Sequence, residues 1–387
     1  MPETLCYPRE LLTRSAAERR EYFASRTVMH TEMERVCEEL LDVILEPSNT
    51  SLVFLVGPTG GGKTTMLRLI EKRIAEQLMS ELLANGGQLP SVSVEVPAPE
   101  SSHYPWKDFY KRILLAMEDP FVEQKVNHCG TRGVHRTAEG NLATGRGVSG
   151  QELRHAVEQA LRHRRPAAVL LDEAQHFMKI ASGRKLLDQM DIIKSLANMT
   201  KVVQVLIGTY ELVAFLNLSG QLSRRSTVIH FPRYDAEDAE DIRLFGSVVL
   251  SFQRLMPFEE EPNLLPHLEY LYTRSIGCVG ILKDWLNKAY GVALRAKAKT
   301  LTLAHLKERA LSVAQCRKML AEARAGEQKL AEDENAGTKL AEELGMMVPD
   351  GGTPGDAPNP ATPKRRCLRP GQRKPTRDPV GIEQYAA

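Results

Sequence analysis

Apolar residues recur at helical spacing in residues 31–45, so this stretch predicts an amphipathic helix with Met33, Val36, Leu40 and Ile44 on one face. The turn residues of EPSNT end this pattern at residue 46. The six residues that follow, SLVFLV, are almost wholly apolar, which is typical of a strand buried on both faces of a parallel sheet. The chain is therefore expected to place a helix before a central strand.

The same two patterns alternate as far as residue 234. Helices are predicted at 64–83, 106–117, 151–164 and 186–197, and strands at 91–96, 167–171, 202–208 and 227–231. Residues 120–150 interrupt the alternation, since they are rich in glycine and basic residues and have no clear period. Strands that alternate with helices favour an α/β fold built on a parallel sheet.

Beyond residue 235 the patterns are helical only, through about residue 325. The last residues are first acidic, then rich in proline and glycine (PDGGTPGDAPNPATP), and finally basic, a composition typical of disorder. The sequence thus predicts an N-terminal extension (1–30), an α/β domain (31–234), an all-helical lid domain (235–325) and a disordered tail with a basic C-terminal segment (326–387).

Composition narrows the class of protein. The 387 residues are 42% hydrophobic and 26% charged, as in ordinary globular chains. No apolar run approaches the length of a membrane span, and MPETLCYPRELL does not resemble a signal peptide. The six cysteines are scattered, which suits neither a zinc site nor a disulfide framework. We therefore expect a cytoplasmic protein without a membrane partner.

Charge is unevenly distributed along the chain. The formal net charge is +2, but the segment from Lys364 to the end carries seven Lys/Arg and two acidic residues. The rest of the chain is therefore slightly acidic. Contact with nucleic acid would have to come from local patches or from the tail.

The strongest chemical motif is GPTGGGKTT, which lies between a predicted strand and a predicted helix. The pattern G-x-x-x-x-G-K-T in this context is a phosphate-binding loop, in which backbone N–H groups and the helix N-terminus face the phosphates of a nucleotide. The lysine reaches the β- and γ-phosphates, and the threonine hydroxyl binds Mg²⁺. The predicted ATP-binding residues are Gly57, Pro58, Thr59, Gly60, Gly61, Gly62, Lys63, Thr64 and Thr65.

A second acidic motif, AAVLLDEAQ, ends another predicted strand. Asp172 is expected at the same edge of the sheet, where it would join Thr64 in binding Mg²⁺. Glu173 is expected to activate the attacking water. Because kinases of small molecules need no second acid for water, the pair favours hydrolysis of ATP over transfer of its phosphate.

Three further polar residues are candidates for catalysis. Thr209 ends the strand VVQVLIGT, where it either senses the γ-phosphate or caps the strand. Arg224 and Arg225 precede the last strand, where either is a solvated surface residue or an arginine supplied to the site of a neighbouring subunit.

In order and content these motifs resemble those of AAA+ ATPases, and in detail those of the TniB/TnsC family of transposition ATPases, relatives of MuB. The resemblance covers residues 31–325. It is carried by FLVGPTGGGKTTML, LLDEAQHF and VLIGTYEL, and more specifically by YFASRTVMHTEMERV, QLSRRSTVIHFPRY and SIGCVGILKDWL.

The resemblance implies an AAA+ fold and a bacterial, nucleoid-associated regulator. Such a regulator would form homo-oligomeric rings or filaments on duplex DNA and hydrolyse ATP to disassemble. It would link a transposase to a target selector, either a TniQ-like protein or an RNA-guided complex. Lys63, Thr64, Asp172, Glu173 and Thr209 would take the Walker A, Walker B and sensor 1 roles. The lid departs from the usual Gly-x-x-Arg, because GCVG places Gly280 at the arginine position and leaves Lys283, one turn on, as the candidate nucleotide contact.

Binding to DNA is expected to be weakly sequence-specific and made mainly to phosphates. For the basic tail, two readings stay open, a disordered arm for DNA and a peptide captured by a partner protein. The candidate DNA-binding residues are Lys107, Lys111, Arg112, Lys125, Arg132, Arg136 and Arg146.

Two other functions compete with this one. A replication initiator or helicase loader of the AAA+ class would share the ATPase motifs but would need an origin-binding module after the lid. A P-loop kinase or signalling NTPase would be indifferent to DNA, and it would leave the arginine pair and the basic insertion without a role.

Overall fold

The computed structural model describes residues 7–48, 50–99, 104–117, 134–136, 142–144, 149–179, 184–216, 225–331, 340–341 and 343–345. The chain divides into two units, residues 1–331 and residues 332–387. Of the few residues described in the second unit, Leu340, Ala341 and Glu343 are helical.

A five-stranded sheet forms the centre of the first unit. Its strands are all parallel and lie in the order β2–β5–β6–β1–β7, so that β1 is flanked by β6 and β7. The predicted parallel sheet is therefore confirmed. The strands are β1 (Leu52–Val56), β2 (Ser91–Glu95), β5 (Ala168–Asp172), β6 (Val203–Gly208) and β7 (Ser226–His230).

Residues 120–150 contain a feature that the sequence pattern did not predict. Two short strands, β3 (Val134–Arg136) and β4 (Leu142–Thr144), pair antiparallel in a separate two-stranded sheet. Three residues a strand are too few for a period of two to be recognised in a sequence.

Helices cover both faces of the sheet, and α1 (Ala16–Ser25) precedes them in the chain and packs elsewhere. Among the described residues, the helices of the α/β region are α2 (Thr31–Leu45), α3 (Lys63–Gln77), α4 (Met79–Ala84), α5 (Trp106–Ala116), α6 (Gly150–Arg164), α7 (Arg184–Thr200) and α8 (Val213–Leu216). The predicted helix at 64–83 is thus two helices, since α3 ends at Gln77 and a new turn begins at Met79.

Alternation along β1 distributes its side chains between two cores. Val53 and Leu55 pack with the apolar faces of α2 and α3, whereas Leu52 and Phe54 pack with those of α5, α6 and α7. A strand covered on both faces can be apolar at every position, which explains the continuous run SLVFLV.

A region of helices follows the sheet. It comprises α9 (Ala239–Arg254), α10 (Leu268–Ser275), α11 (Val279–Arg295), α12 (Leu303–Arg309) and α13 (Val313–Leu330). The predicted helical C-terminal region is confirmed, but α13 continues to Leu330, five residues past the predicted end of the lid domain at 325. The basic segment from Lys364 onward lies outside the described residues.

The N-terminal residues are part of the helical region. Phe23, at the end of α1, is fully buried and makes edge-on ring contacts with Phe252 and Tyr290. The Tyr7 hydroxyl donates a hydrogen bond to the carbonyl of Phe258 at 2.7 Å. The predicted extension therefore contributes to a core more than 200 positions away in the chain. Among the described residues, no helix is long and apolar enough to cross a membrane.

Candidate nucleotide site

The loop GPTGGGKTT lies at the carboxyl edge of the sheet, between β1 and α3. Its first residue is held by the neighbouring strand, because the Gly57 N–H donates to the Gly208 carbonyl at 3.3 Å. The loop forms one wall of a cavity of about 780 Å³, a volume in the range of small-molecule sites. Seven of the nine predicted loop residues line this cavity, namely Thr59, Gly60, Gly61, Gly62, Lys63, Thr64 and Thr65.

Lys63 is the first residue of α3 and is 9% exposed. Its Nζ donates to the carbonyls of Gly57 at 3.1 Å and Pro58 at 2.8 Å. Burial lowers the pKa of this amine, while the carboxylates of Glu173 and Asp172 act in the opposite direction. A lysine held in this way keeps a cation beside the N–H groups of the loop, where an anion would be stabilised.

Thr64 and Asp172 meet as the sequence predicted. The Thr64 hydroxyl donates to Asp172 Oδ2 at 3.0 Å, and the Glu173 N–H donates to Asp172 Oδ1 at 2.9 Å. Burial raises the pKa of the Asp172 carboxyl, which is 9% exposed. A hydroxyl and a carboxylate at this separation form an oxygen ligand set that suits Mg²⁺ when phosphates and water complete it. The donor set thus fits the expected ion.

Glu173 and Thr209 line the same cavity. The Thr209 Oγ1 is buried and has no hydrogen-bond partner among the described residues. Buried hydroxyls are nearly always paired, so this oxygen is suited to a hydrogen bond with a ligand oxygen or a water. The geometry favours the sensing role of Thr209 over a simple strand cap.

Helix α11 also lines the cavity and contacts the loop directly. The Ile281 N–H, in its first turn, donates to the Gly60 carbonyl at 3.0 Å. Gly280 lies so close to the backbone of Gly60 that an added Cβ would collide with the carbonyl oxygen. This contact explains why the lid has no arginine at position 280, since any side chain there would displace the helix from the loop.

Lys283 also lines the cavity, but its amine is held by the N-terminal helix. Its Nζ donates to the Phe23 carbonyl at 2.5 Å and lies 3.5 Å from the centre of the Phe23 ring. Burial lowers the pKa of Lys283 to about 7. The predicted contact between Lys283 and the nucleotide would require this amine to leave Phe23.

Sequence reasoning did not find the residues that bring the N-terminal segment into the site. Residues 24–28, ASRTV in one-letter code, line the cavity together with Met33 of α2. The available signal was Phe23, a large apolar residue in the otherwise polar stretch that precedes residue 24. Its position explains the result, because burial of Phe23 in the helical core fixes the next five residues against the cavity.

Arg225 lies at the opposite edge of the sheet. It directly precedes β7, and β7 runs parallel to β1, so Arg225 is at the amino edge while the loop is at the carboxyl edge. Its guanidinium donates to the Asn198 side chain at 3.2 Å and is exposed. Arg225 is therefore remote from the cavity of its own subunit, and Arg224 lies outside the described residues.

The residue after Thr209 connects the site to the last helix. The Tyr210 ring packs directly on Gly326 of α13, and its hydroxyl hydrogen-bonds His230 Nε2 at 2.8 Å. Nearby, Arg233 Nε and Glu327 Oε1 form an ion pair at 2.9 Å in which the arginine side chain is 8% exposed. Helix α13 is thereby fixed to the carboxyl edge of the sheet.

The candidate DNA-binding residues are only partly described. Lys107 and Arg112 are exposed on α5, Lys111 is half-buried, and Arg112 Nε donates to Asp108 at 2.9 Å. An exposed ion pair of this kind is weak and leaves the arginine able to exchange partners. Arg136 ends β3, whereas Lys125, Arg132 and Arg146 lie outside the described residues.

Comparison with known proteins agrees with this geometry. Residues 46–216 match the family model of an AAA domain. The aliphatic sulfonates import ATP-binding proteins SsuB 2 of Burkholderia cenocepacia (strain HI2424) and Burkholderia orbicola (strain AU 1054) are each 29% identical over 141 residues, which is 35% of this chain and 50% of each relative. The chain thus spans about half the length of these curated relatives.

Two solved structures are similar in fold. The Aeropyrum pernix ORC1 protein in complex with DNA has a TM-score of 0.48 and 20% identity, over 88% of this chain and 78% of that chain. The Aeropyrum pernix ORC2 protein has a TM-score of 0.47 and 15% identity, over 78% and 71%. The AAA-domain match and the strand order, with the loop after the strand between β6 and β7, assign a P-loop AAA+ fold.

Proposed function

We propose that this protein is an ATP-dependent DNA-binding regulator of transposition that assembles on duplex DNA and leaves it after hydrolysing ATP. The observation that carries the proposal is the one cavity that Lys63, Thr64, Glu173 and Thr209 line together, with Asp172 hydrogen-bonded to Thr64. Together they would provide a contact to phosphate, two ligands for a metal ion and a carboxylate that orients the attacking water.

The residues divide the chemistry among them. Lys63 and the loop N–H groups would hold the phosphates, and Thr64 with Asp172 would hold Mg²⁺, which neutralises charge on the phosphate oxygens. Glu173 would orient the attacking water, and Thr209 would donate its unpaired hydroxyl to a phosphate or to that water. Residues 24–28 would enclose the rest of the nucleotide.

Oligomerisation is supported by the place of Arg225. Arg225, at the amino edge of the sheet, is remote from the cavity of its own subunit, so in a catalytic role it would complete the site of a neighbouring subunit, and completion would then depend on assembly. Repetition along DNA would also allow the few exposed cations of α5 to add up, because a duplex carries about one negative charge per 1.7 Å of its axis. The motif resemblance to TniB/TnsC proteins supports a transposase and a target selector as protein partners.

The test combines imaging with an ATPase assay. The protein is mixed with random-sequence duplex DNA and either ATP or a non-hydrolysable analogue, and is imaged by negative-stain electron microscopy. We expect rings or filaments on DNA with the nucleotide, and none with the Lys63→Ala variant, which lacks the phosphate contact. The exposed Arg73→Ala, which removes a cation from the same helix outside the cavity, is the matched control.

Two outcomes of this test would contradict the proposed function. Monomers that hydrolyse ATP at a rate indifferent to DNA would overturn the DNA-binding function in favour of a signalling NTPase. Binding confined to one particular duplex sequence would favour an initiator. The transposition role predicts a transposase gene beside this one, and a pull-down with its product tests that role separately.

A further inference from the structure

Gln175 joins two residues of the candidate site to each other. It lies in the short 3₁₀ turn Ala174–Met178 that follows β5, and it is 8% exposed. Its Nε2 donates to Glu173 Oε2 at 2.6 Å, and its Oε1 accepts from the Thr209 N–H at 3.3 Å. One amide group therefore bridges the carboxyl ends of the adjacent strands β5 and β6.

The amide has little freedom to adopt another position. Gly208, which directly precedes Thr209, lies so close to the Gln175 side chain that an added Cβ would collide with its Oε1. A buried side chain in close-packed surroundings keeps one rotamer, and a buried amide left without partners is costly. The neighbouring strand therefore fixes the amide through its Oε1, and this orientation directs Nε2 toward the Glu173 carboxylate.

Glu173 needs such a partner because its own backbone does not orient it. The residue follows the last position of β5 and has a left-handed conformation, with φ of 54°. A glutamate side chain has several rotatable bonds, and an acid that orients water must be held close to one geometry. The Gln175 amide occupies Oε2 of the carboxylate, so that Oε1 stays available for water.

We infer that Gln175 is a positioning residue for ATP hydrolysis, which holds the Glu173 carboxylate in register with Thr209. The inference rests on the proposed ATPase function and adds a residue that the sequence motifs did not single out. Gln175 acts through Glu173 and Thr209, so its loss should lower kcat while the affinity for nucleotide, set by the loop, is retained.

The hydrogen-bonding pattern suggests a test by substitution. A protonated carboxyl has one O–H donor and one carbonyl acceptor, which is the pair of groups that Gln175 uses. Gln175→Glu should therefore work when the introduced carboxyl is protonated and fail when it is ionised, since it then repels Glu173 and has no donor. Proximity of two carboxylates raises the pKa of one of them, which brings the transition toward neutral pH.

The experiment compares the wild type with Gln175→Leu and Gln175→Glu in the full-length chain. Steady-state ATPase rates are measured from about pH 8 to about pH 6, together with binding of a fluorescent ATP analogue and thermal unfolding. For Gln175→Leu we expect a loss of roughly 10- to 100-fold in kcat, the size of effect that a small misplacement of a catalytic group produces, with KM and analogue affinity changed less than about threefold. The exposed Gln151→Leu and Gln151→Glu on α6 are the controls.

For Gln175→Glu we expect the ratio of its kcat to that of the wild type to rise as the pH falls. A pH-independent ratio for this variant, or an unchanged kcat for Gln175→Leu, would overturn the inference. If Gln175→Leu unfolds at a lower temperature, the pH-dependent ratio of Gln175→Glu still decides. A wild type that binds the analogue but does not hydrolyse ATP under any condition would instead refute the ATPase function, a result that the variants cannot mimic.

Discussion

Several ionisable side chains around the cavity are buried, and burial changes their pKa values in the direction of the neutral form. The pKa falls for Lys63 and Lys283 and rises for Asp172. Each group has a hydrogen-bond partner: a loop carbonyl for Lys63, the Phe23 carbonyl for Lys283 and the Thr64 hydroxyl for Asp172. Phosphate and Mg²⁺ each favour the charged form of the group that they contact. Binding of a nucleotide would therefore shift these groups back toward their charged forms.

His30 gives the clearest pH prediction. It is 7% exposed, hydrogen-bonds the Tyr234 hydroxyl through Nδ1 at 3.0 Å, and has an unpaired buried Nε2. Burial lowers its pKa to about 4, so below the unfolded value of 6.5 the unfolded chain binds a proton that the folded chain does not. The contribution of His30 to the free energy of unfolding is therefore complete above this unfolded pKa and is lost as the pH falls toward 4.

The expected size follows from linkage. Between pH 7.5 and pH 5.5, roughly one pH unit below the unfolded pKa, His30 should remove about 1.4 kcal/mol from the free energy of unfolding. In His30→Gln this part should vanish, as measured by urea unfolding at the two pH values. The exposed His155→Gln is the control. An equal pH dependence for the wild type and His30→Gln would show that His30 is not held neutral.

At the scale of elements, helices α1 and α13 contact residues that lie beside the candidate catalytic groups. Helix α1 carries Phe23 into the helical core, and Lys283 of α11 binds its terminal carbonyl. Helix α13 packs through Gly326 on Tyr210, directly after Thr209, and through Glu327 on Arg233. Both ends of the described first unit thus contact residues beside the candidate catalytic groups.

Gly326 allows this second contact to be tested. Replacement of a glycine by alanine within a helix normally stabilises it by about 1 kcal/mol. At this position the added Cβ would collide with the Tyr210 ring, and overpacking of this kind costs about 1 to 3 kcal/mol. We expect Gly326→Ala to lower the thermal unfolding midpoint and, through Tyr210 and Thr209, the ATPase rate.

The control for this experiment lies on the same helix. Gln328→Ala changes an exposed residue two positions further on and should leave both quantities nearly unchanged. A higher midpoint for Gly326→Ala would mean that helix propensity outweighs the contact, and that α13 does not pack on Tyr210 as described.

At the scale of the molecule, the sequence predicted whatever depends on local pattern. The parallel strands follow from periodicity, and the loop follows from a motif confined to one strand–turn–helix unit. The meeting of Thr64 with Asp172 follows from the sheet, because the carboxyl ends of parallel strands share one edge. The sequence did not predict the burial of Phe23, the Gln175 bridge or the Tyr210–Gly326 contact. Each joins residues through tertiary packing of elements whose mutual placement no local pattern encodes. The domain boundaries, the trans role of Arg224 or Arg225 and the DNA contacts stay predictions.

The assembly itself provides the last prediction. If ATP hydrolysis releases the protein from DNA, then Glu173→Gln should bind ATP normally and stay on DNA longer, because Lys63, Thr64 and Asp172 are intact while the group that orients water is neutral. The measurement is dissociation of protein from labelled duplex DNA after a chase with unlabelled DNA, with ATP present. We expect a slower release than in the wild type, and equal release with a non-hydrolysable analogue. Glu322→Gln, an exposed change on α13, should behave as the wild type. If Glu173→Gln fails to bind DNA at all, then Glu173 acts in assembly and not in the hydrolysis that ends it.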